Sequence, residues 1–169
     1  MLSLDLSLLH RKGSVELDIC LQPDSALWEE SGVEWDGLVE VKLSASLAGS
    51  GEIVVRGSVD GRLKQECRRC IEPVGGEMGH ELTLVFVAAD KEGAEEDDGV
   101  HVYGEGTEID LSNAVREEVV FAVDPYVICK SDCKGLCSRC GTNRNKQTCN
   151  RTEDHTDPRW EALSVLEEK

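Results

Sequence analysis

Two Cys-x-x-Cys pairs are the part of this sequence best suited to chemistry: Cys67-Arg68-Arg69-Cys70 and Cys137-Ser138-Arg139-Cys140, the second followed by Gly141. Two intervening residues let the backbone turn tightly enough to aim both sulfurs at one ion. A glycine just after the second cysteine permits the positive φ that such a knuckle often needs. Two knuckles supply four thiolates, the set zinc takes in a closed tetrahedral site, so the first expectation is a zinc ion on Cys67, Cys70, Cys137 and Cys140. Joining distant segments also gains more loop-closure constraint than a local site. Cys129, Cys133 and Cys149 lie in the same stretch as the second knuckle. A compact alternative therefore uses Cys129, Cys133, Cys137 and Cys140; it ranks second because an x3 spacing is the less usual knuckle. A further arrangement puts a second metal on Cys129, Cys133 and Cys149, with His155 or a water as fourth ligand. Cys20, inside an apolar strand-like stretch, reads as a buried small hydrophobe.

Cys-x-x-Cys can also be a redox pair, but that chemistry needs the first cysteine at a helix N-terminus, and neither pair precedes a convincing helix pattern. His10, His80, His101 and His155 are scattered and form no legible catalytic partnership. There is no Gly-rich phosphate loop, nucleophile elbow or HExxH arrangement. The expectation is a protein that is not an enzyme and has no evident small-molecule substrate.

The elements that position the cysteines are mostly strands. Leu2, Leu4, Leu6 and Leu8 alternate with polar residues, which predicts an opening strand over 2–8. The stretch 21–35 has no clean period and reads as a loop with a short turn, with Trp28 and Trp35 capping the core. Val39 to Leu47 alternates, Gly49-Ser50-Gly51 punctuates, and Ile53 to Val59 resumes the alternation, which predicts a β-hairpin. Further strands are expected over 61–66 and 81–88, with Leu82, Leu84, Phe86 and Ala88 on one face. Cys67 and Cys70 then fall where a strand ends and a turn begins. Leu111, Val115, Val119 and Ala122 recur at helical spacing behind a polar start, and Pro125 stops that helix. Asp157 as N-cap and Pro158 at the first helical position predict a short closing helix carrying Trp160, Leu163 and Leu166. The fold class expected is α+β: a mainly antiparallel β-sheet body with one central helix, a Cys-rich zinc-binding segment and a short C-terminal helix. Its parts are a β-rich body over 1–89, an acidic loop over 90–108, and a helix with the Cys-rich segment over 109–169, packed with the body as one domain.

A chain of 169 residues can bury a core without metals or disulfides, so any metal is a local staple. Aromatic content is 4% and the net charge is −16, which argues against general duplex binding. The charge is uneven. Asp90, Glu92, Glu95, Glu96, Asp97, Asp98, Glu105 and Glu108 face only Lys91, whereas Lys130, Lys134, Arg139, Arg144, Lys146 and Arg151 face only Asp132. If one zinc gathers both knuckles, Arg62, Lys64, Arg68, Arg69 and Arg139 converge on one basic patch that can meet RNA phosphates or offset the charge of a tetrathiolate centre. Few aromatics accompany these cations in sequence, so no base-stacking platform is expected. No apolar run approaches the roughly 18 residues that span a bilayer, and no secretory signal is legible. A cytoplasmic protein follows, in which closely spaced cysteines hold metal rather than disulfides.

With these residues assembled, the sequence resembles the YceD family of large-ribosomal-RNA accumulation proteins. The resemblance rests on Cys67-Arg-Arg-Cys70 after a β segment, an acidic loop leading to Glu108-Ile-Asp-Leu111, the run Lys134-Gly-Leu-Cys137-Ser-Arg-Cys140-Gly-Thr-Asn143-Arg-Asn145, and the closing Asp157-Pro-Arg-Trp160-Glu-Ala-Leu163. It implies a bacterial or plastid cytoplasmic factor needed for accumulation or processing of large-subunit (23S) rRNA, with no established catalytic activity. Its partner would be the rRNA precursor or a ribosomal assembly protein. The family's segment often closes with Cys-x-Cys, whereas here Asn150 and Arg151 follow Cys149, which weakens a second metal site. The competing readings are an adaptor whose acidic face binds a basic ribosomal protein, and, ranked last, a thiol oxidoreductase.

Overall fold

The computed structural model describes residues 2–49, 51–89, 99–149 and 159. Its sheet is built by the alternating segments. β2 (Ser14–Leu21), β3 (Val39–Leu47), β4 (Ile53–Glu66), β5 (Pro73–Ala88) and β6 (Val100–Tyr103) lie side by side in chain order, antiparallel except for the β5–β6 pair. The expected hairpin is the β3–β4 pair, with Leu47 opposite Ile53. The two strands expected over 53–59 and 61–66 are one long strand. β5 likewise begins well before Glu81, so that β4 and β5 form a long hairpin reaching from Ile53–Phe86 to Glu66–Pro73. The acidic stretch is not loop throughout: it contains β6, and β7 (Glu108–Asp110) starts within it, while 90–98 lie outside the described residues.

One face of this sheet carries the core. Val39, Val41, Leu43, Ala45, Ile53, Val55, Val59, Leu82, Leu84 and Phe86 are all buried, and Trp28 and Trp35 close over its edge as expected. The two indole rings lie 5.2 Å apart, near a single 3₁₀ turn at Ala26–Trp28. Covering the face are β1 (Ser3–Asp5), paired antiparallel with β7, and two helices, α1 (Leu6–Lys12) and α2 (Ser112–Ala122). Ala88 and Ala122, expected on buried faces, are half-buried and exposed.

The opening strand is shorter than its alternation predicts, because Asp5 caps a helix instead. Its side chain accepts the Leu8 N–H, and Gly13 at φ 78° ends the helix by donating to the Leu9 carbonyl. The buried spacing changes accordingly, from Leu2 and Leu4 to Leu6 and Leu9. α2 keeps its expected place, with Val115 and Val119 fully buried, and His80 of β5 meets Glu118 at 3.1 Å. Among the described residues two α-helices therefore accompany the sheet, α1 being one that the sequence reading did not expect. The predicted closing helix falls outside the described residues. No helix among the described residues is long and apolar enough to cross a membrane.

Candidate metal centre

The first knuckle is the turn of the β4–β5 hairpin. β4 ends at Glu66 and β5 begins at Pro73, so Cys67 and Cys70 are held by the longest pairing in the protein. Within the turn the Ile71 N–H donates to the Cys67 carbonyl at 2.9 Å, and the Cys67 N–H to the Glu72 carbonyl at 2.9 Å. Ile71 takes the left-handed conformation at φ 60°, a costly place for a β-branched residue. The Arg69 N–H points at Cys67 Sγ, 3.4 Å away.

The segment after α2 is strapped to both sides of this turn. The Arg68 N–H donates to the Val127 carbonyl at 3.0 Å, and the Leu136 N–H to the Arg69 carbonyl at 2.9 Å. Between these straps the Cys133 N–H bonds the Lys130 carbonyl at 3.1 Å, a turn that folds Cys129 and Cys133 towards the knuckle. Gly135 makes the return possible. It sits at φ +69°, and a Cβ there would lie 2.9 Å from the Arg69 carbonyl oxygen.

The sulfurs of Cys67, Cys70, Cys129 and Cys133 consequently lie within 4.8 Å of one another. Cys67 to Cys133 is 3.9 Å and Cys70 to Cys129 is 3.6 Å. Zinc–sulfur bonds of about 2.3 Å at tetrahedral angles require sulfurs about 3.8 Å apart. A disulfide requires about 2.05 Å. The donor set and its spacing thus fit a closed tetrathiolate site, and Cys67, Cys70 and Cys133 are buried. This corrects the expected ligand grouping. The first knuckle shares its centre with Cys129 and Cys133, while Cys137 and Cys140 cluster separately with Cys149. Cys20 is exposed on β2 rather than buried.

The four thiols do not ionise alike. Burial opposes ionisation of Cys67, but N–H groups of Cys129, Arg69 and Cys70 directed at its sulfur bring it down to about 6. Cys133 is also lowered, burial being outweighed by the Asn145 amide and the Gly135 N–H. Cys129 is pushed up to about 12 by burial and by the thiols of Cys133, Cys70 and Cys67. For Cys70 the Glu72 N–H favours ionisation, but burial and the thiols of Cys67 and Cys133 outweigh it, so this thiol is raised as well. Without a cation, four thiolates cannot coexist here.

A shell of polar contacts fixes the ligands. Asn145 Nδ2 donates to Cys133 Sγ at 3.3 Å while its Oδ1 accepts the Lys134 N–H at 2.9 Å. Glu72 Oε1 receives Lys146 Nζ at 2.7 Å and Asn143 Nδ2 at 3.1 Å, and Lys146, then Asn143, hold its carboxyl below the usual range against burial. Arg69 Nη1 donates to the Cys133 carbonyl at 3.2 Å, and Arg68 Nε to the Pro125 carbonyl.

The expected basic residues are dispersed along this neighbourhood. Arg62 is 3.5 Å from Asp36 and 3.6 Å from Glu77, and Lys64 is 3.3 Å from Glu34, so both are partly neutralised. Arg68 and Arg69 hold the strapping segment. Arg139 lies exposed on the second knuckle. Sequence reasoning left out two exposed rings. Tyr126, between the two residues that receive Arg68, is 78% exposed, and Phe121 at the end of α2 is 86% exposed. An open cleft of about 820 Å³ is lined by Lys64, Cys67, Arg68, Ile71, Val120 and Pro125.

A family model described as large ribosomal RNA subunit accumulation protein YceD matches residues 55–167, more than half of the chain. The chain belongs to the YceD family. An uncharacterized protein of Mycobacterium leprae is 32% identical over 137 residues, covering 79% of this chain and 61% of that protein. An uncharacterized protein of Mycobacterium tuberculosis is 31% identical over 134 residues, covering 78% of this chain and 63% of that protein. This YceD-family chain therefore spans about three-fifths of the length of these relatives, at 61% and 63%. The large ribosomal RNA subunit accumulation protein YCED homolog 1, chloroplastic, of Arabidopsis thaliana is 36% identical over 73 residues, 43% of this chain and 23% of that protein. No solved structure matches the chain. The family match takes in all seven cysteines of the two clusters.

Proposed function

We propose that this chain is a non-catalytic, zinc-binding factor of ribosome biogenesis, acting in the cytoplasm to support accumulation or processing of large-subunit (23S) rRNA. Zinc on Cys67, Cys70, Cys129 and Cys133 closes the β4–β5 turn onto the segment after α2. That closure holds a cation, Arg68, on the Pro125 and Val127 carbonyls that flank exposed Tyr126, along the cleft that Lys64 also lines. This juxtaposition, in a chain of this family, is the observation that carries the reading. Arginine offers phosphate oxygens a planar set of donors, and an exposed ring offers an unpaired base a stacking face. Arg62, Arg69 and Arg139 extend the same basic neighbourhood, and Lys134 and Arg144 are exposed and join no ion pair among the described residues.

The test is sedimentation of tagged, zinc-loaded protein with large-subunit precursors, followed by sequencing of crosslinked RNA. The reading expects co-sedimentation and crosslinks in large-subunit rRNA. Zinc-loaded protein that associates with neither particles nor rRNA would overturn it. A second reading, an adaptor binding a basic ribosomal protein through its acidic face, is favoured by the ion pairs that occupy Arg62 and Lys64. It expects particle association that survives Arg62→Ser, Lys64→Ser, Arg68→Ser and Arg69→Ser together.

A further inference from the structure

The second knuckle repeats the first in backbone detail. The Gly141 N–H donates to the Cys137 carbonyl at 2.9 Å, and the Cys137 N–H to the Thr142 carbonyl at 2.8 Å. The same two bonds close Cys67-Arg-Arg-Cys70, and Gly141 at φ 69° occupies the left-handed position that Ile71 holds there. A β-bridge between Leu136 and Asn143 seals the turn as the β4–β5 pairing seals the other. Beyond it the Lys146 and Gln147 N–H groups both bond the Asn143 carbonyl at 3.0 Å, a second turn that brings the chain back. Cys149 thereby reaches 3.6 Å from Cys140, and the sulfurs of Cys137, Cys140 and Cys149 all lie within 4.8 Å of one another.

This convergence is not what a turn needs for its own stability. The backbone bonds close the knuckle without sulfur, and Cys149 arrives from a different turn. Its 3.6 Å separation from Cys140 is again close to a tetrahedral sulfur edge of about 3.8 Å rather than a disulfide of about 2.05 Å. Among the described residues no fourth Cys, His, Asp or Glu joins the three. The two clusters also differ in access: the first is largely buried, whereas Cys140 is exposed and Cys137 and Cys149 are half-exposed.

We propose that Cys137, Cys140 and Cys149 bind a second zinc ion through their three thiolates. Loading adds no redox step: each sulfur binds as a thiolate, and any proton it still carries goes to solvent. An ion held by these more exposed sulfurs exchanges with the medium faster than one held in the largely buried four-thiolate cluster. The proposal is independent of the RNA reading, because its outcomes are read on the isolated chain.

The experiment uses the reduced full chain, loaded with zinc and freed of excess, with metal counted by elemental analysis. The expected result is about two zinc ions per chain, one removed rapidly by a soluble chelator and the other retained. Cys149→Ser loses the rapidly removed ion and keeps the other; Cys67→Ser loses the retained one. Should Cys67→Ser fail to fold, cobalt titration gives a second readout, since thiolate-to-cobalt absorption should saturate at about two equivalents in the wild type and about one in Cys149→Ser. Cys149→Ser retaining two ions, a wild type holding a single ion that Cys149→Ser keeps, or thiolate-to-cobalt absorption that saturates at the same point in both would each overturn the proposal. A Cys140–Cys149 disulfide in zinc-supplied, reduced protein would overturn it too.

Discussion

Replacing Asn145 with alanine removes three contacts at once: the amide N–H aimed at Cys133 Sγ at 3.3 Å, the carbonyl that receives the Lys134 N–H at 2.9 Å, and the amide N–H donated to Asn143 Oδ1 at 3.0 Å. The first acts directly on a sulfur of the proposed zinc site. A hydrogen bond to a charged group contributes about 1.5–3 kcal/mol, and about 1.4 kcal/mol is a tenfold change in affinity. Asn145→Ala should therefore weaken zinc binding at Cys67, Cys70, Cys129 and Cys133 by about 10- to 150-fold. Outer-shell substitutions at metal sites typically cost about 10–100-fold, which agrees. Asn145→Asp keeps an acceptor for the Lys134 N–H but turns a carboxylate towards the thiolate, so its loss should be at least as large. The assay is competition for zinc against a chromophoric chelator, in a background carrying Cys137→Ser, Cys140→Ser and Cys149→Ser so that one site is read. Affinities within about threefold of the parent for both variants would refute the argument that this amide tunes Cys133.

The other predictions concern strain, ionisation and the exposed rings. Ile71→Gly relieves a left-handed β-branched residue that is 58% exposed and so loses little burial; the net gain, about 0.5–1 kcal/mol after the entropy of glycine, should raise the melting temperature of the zinc-loaded protein by about 2 °C. A lower melting temperature would contradict it. In metal-free reduced protein, the Thr142 hydroxyl and N–H hold exposed Cys140 at about 6, whereas Cys129 stands at about 12. Alkylation at neutral pH, read by mass spectrometry, should therefore modify Cys140 on the order of 100-fold faster than Cys129, and its rate should fall as pH drops through about 6. Equal rates would refute this assignment. Tyr126→Ala and Phe121→Ala should each leave folding intact and weaken association with large-subunit rRNA by about 5- to 150-fold if each stacks on one base. Unchanged binding would move the contact elsewhere.

Much of the sheet was legible because period-two alternation reports a half-buried strand directly, as for Val39–Leu47 and Ile53–Val59. The opening segment misled because Leu2, Leu4, Leu6 and Leu8 satisfy a strand period, while one capping carboxylate, Asp5, and Gly13 convert its second half into a helix. The cysteine types and their metal-ready spacing were readable as well. Their grouping was not, because it depends on which chain segment lies against the β4–β5 turn. Two backbone bonds, Arg68 to Val127 and Leu136 to Arg69, decide that in favour of Cys129 and Cys133. No local pattern reports such a strap, although Gly135 at its return was a hint. The exposed aromatics were missed for the same reason: Tyr126 is remote from Arg68 in sequence and adjacent to it through Pro125.

The sharpest test of the centre is zinc-edge X-ray absorption on the variant carrying Cys137→Ser, Cys140→Ser and Cys149→Ser, which leaves the first cluster alone. Four sulfurs at about 2.3 Å around one ion are expected, and they should be lost in a further Cys129→Ser exchange. Fewer than four sulfurs in the parent, or a spectrum that Cys129→Ser leaves unchanged, would contradict a centre made of Cys67, Cys70, Cys129 and Cys133.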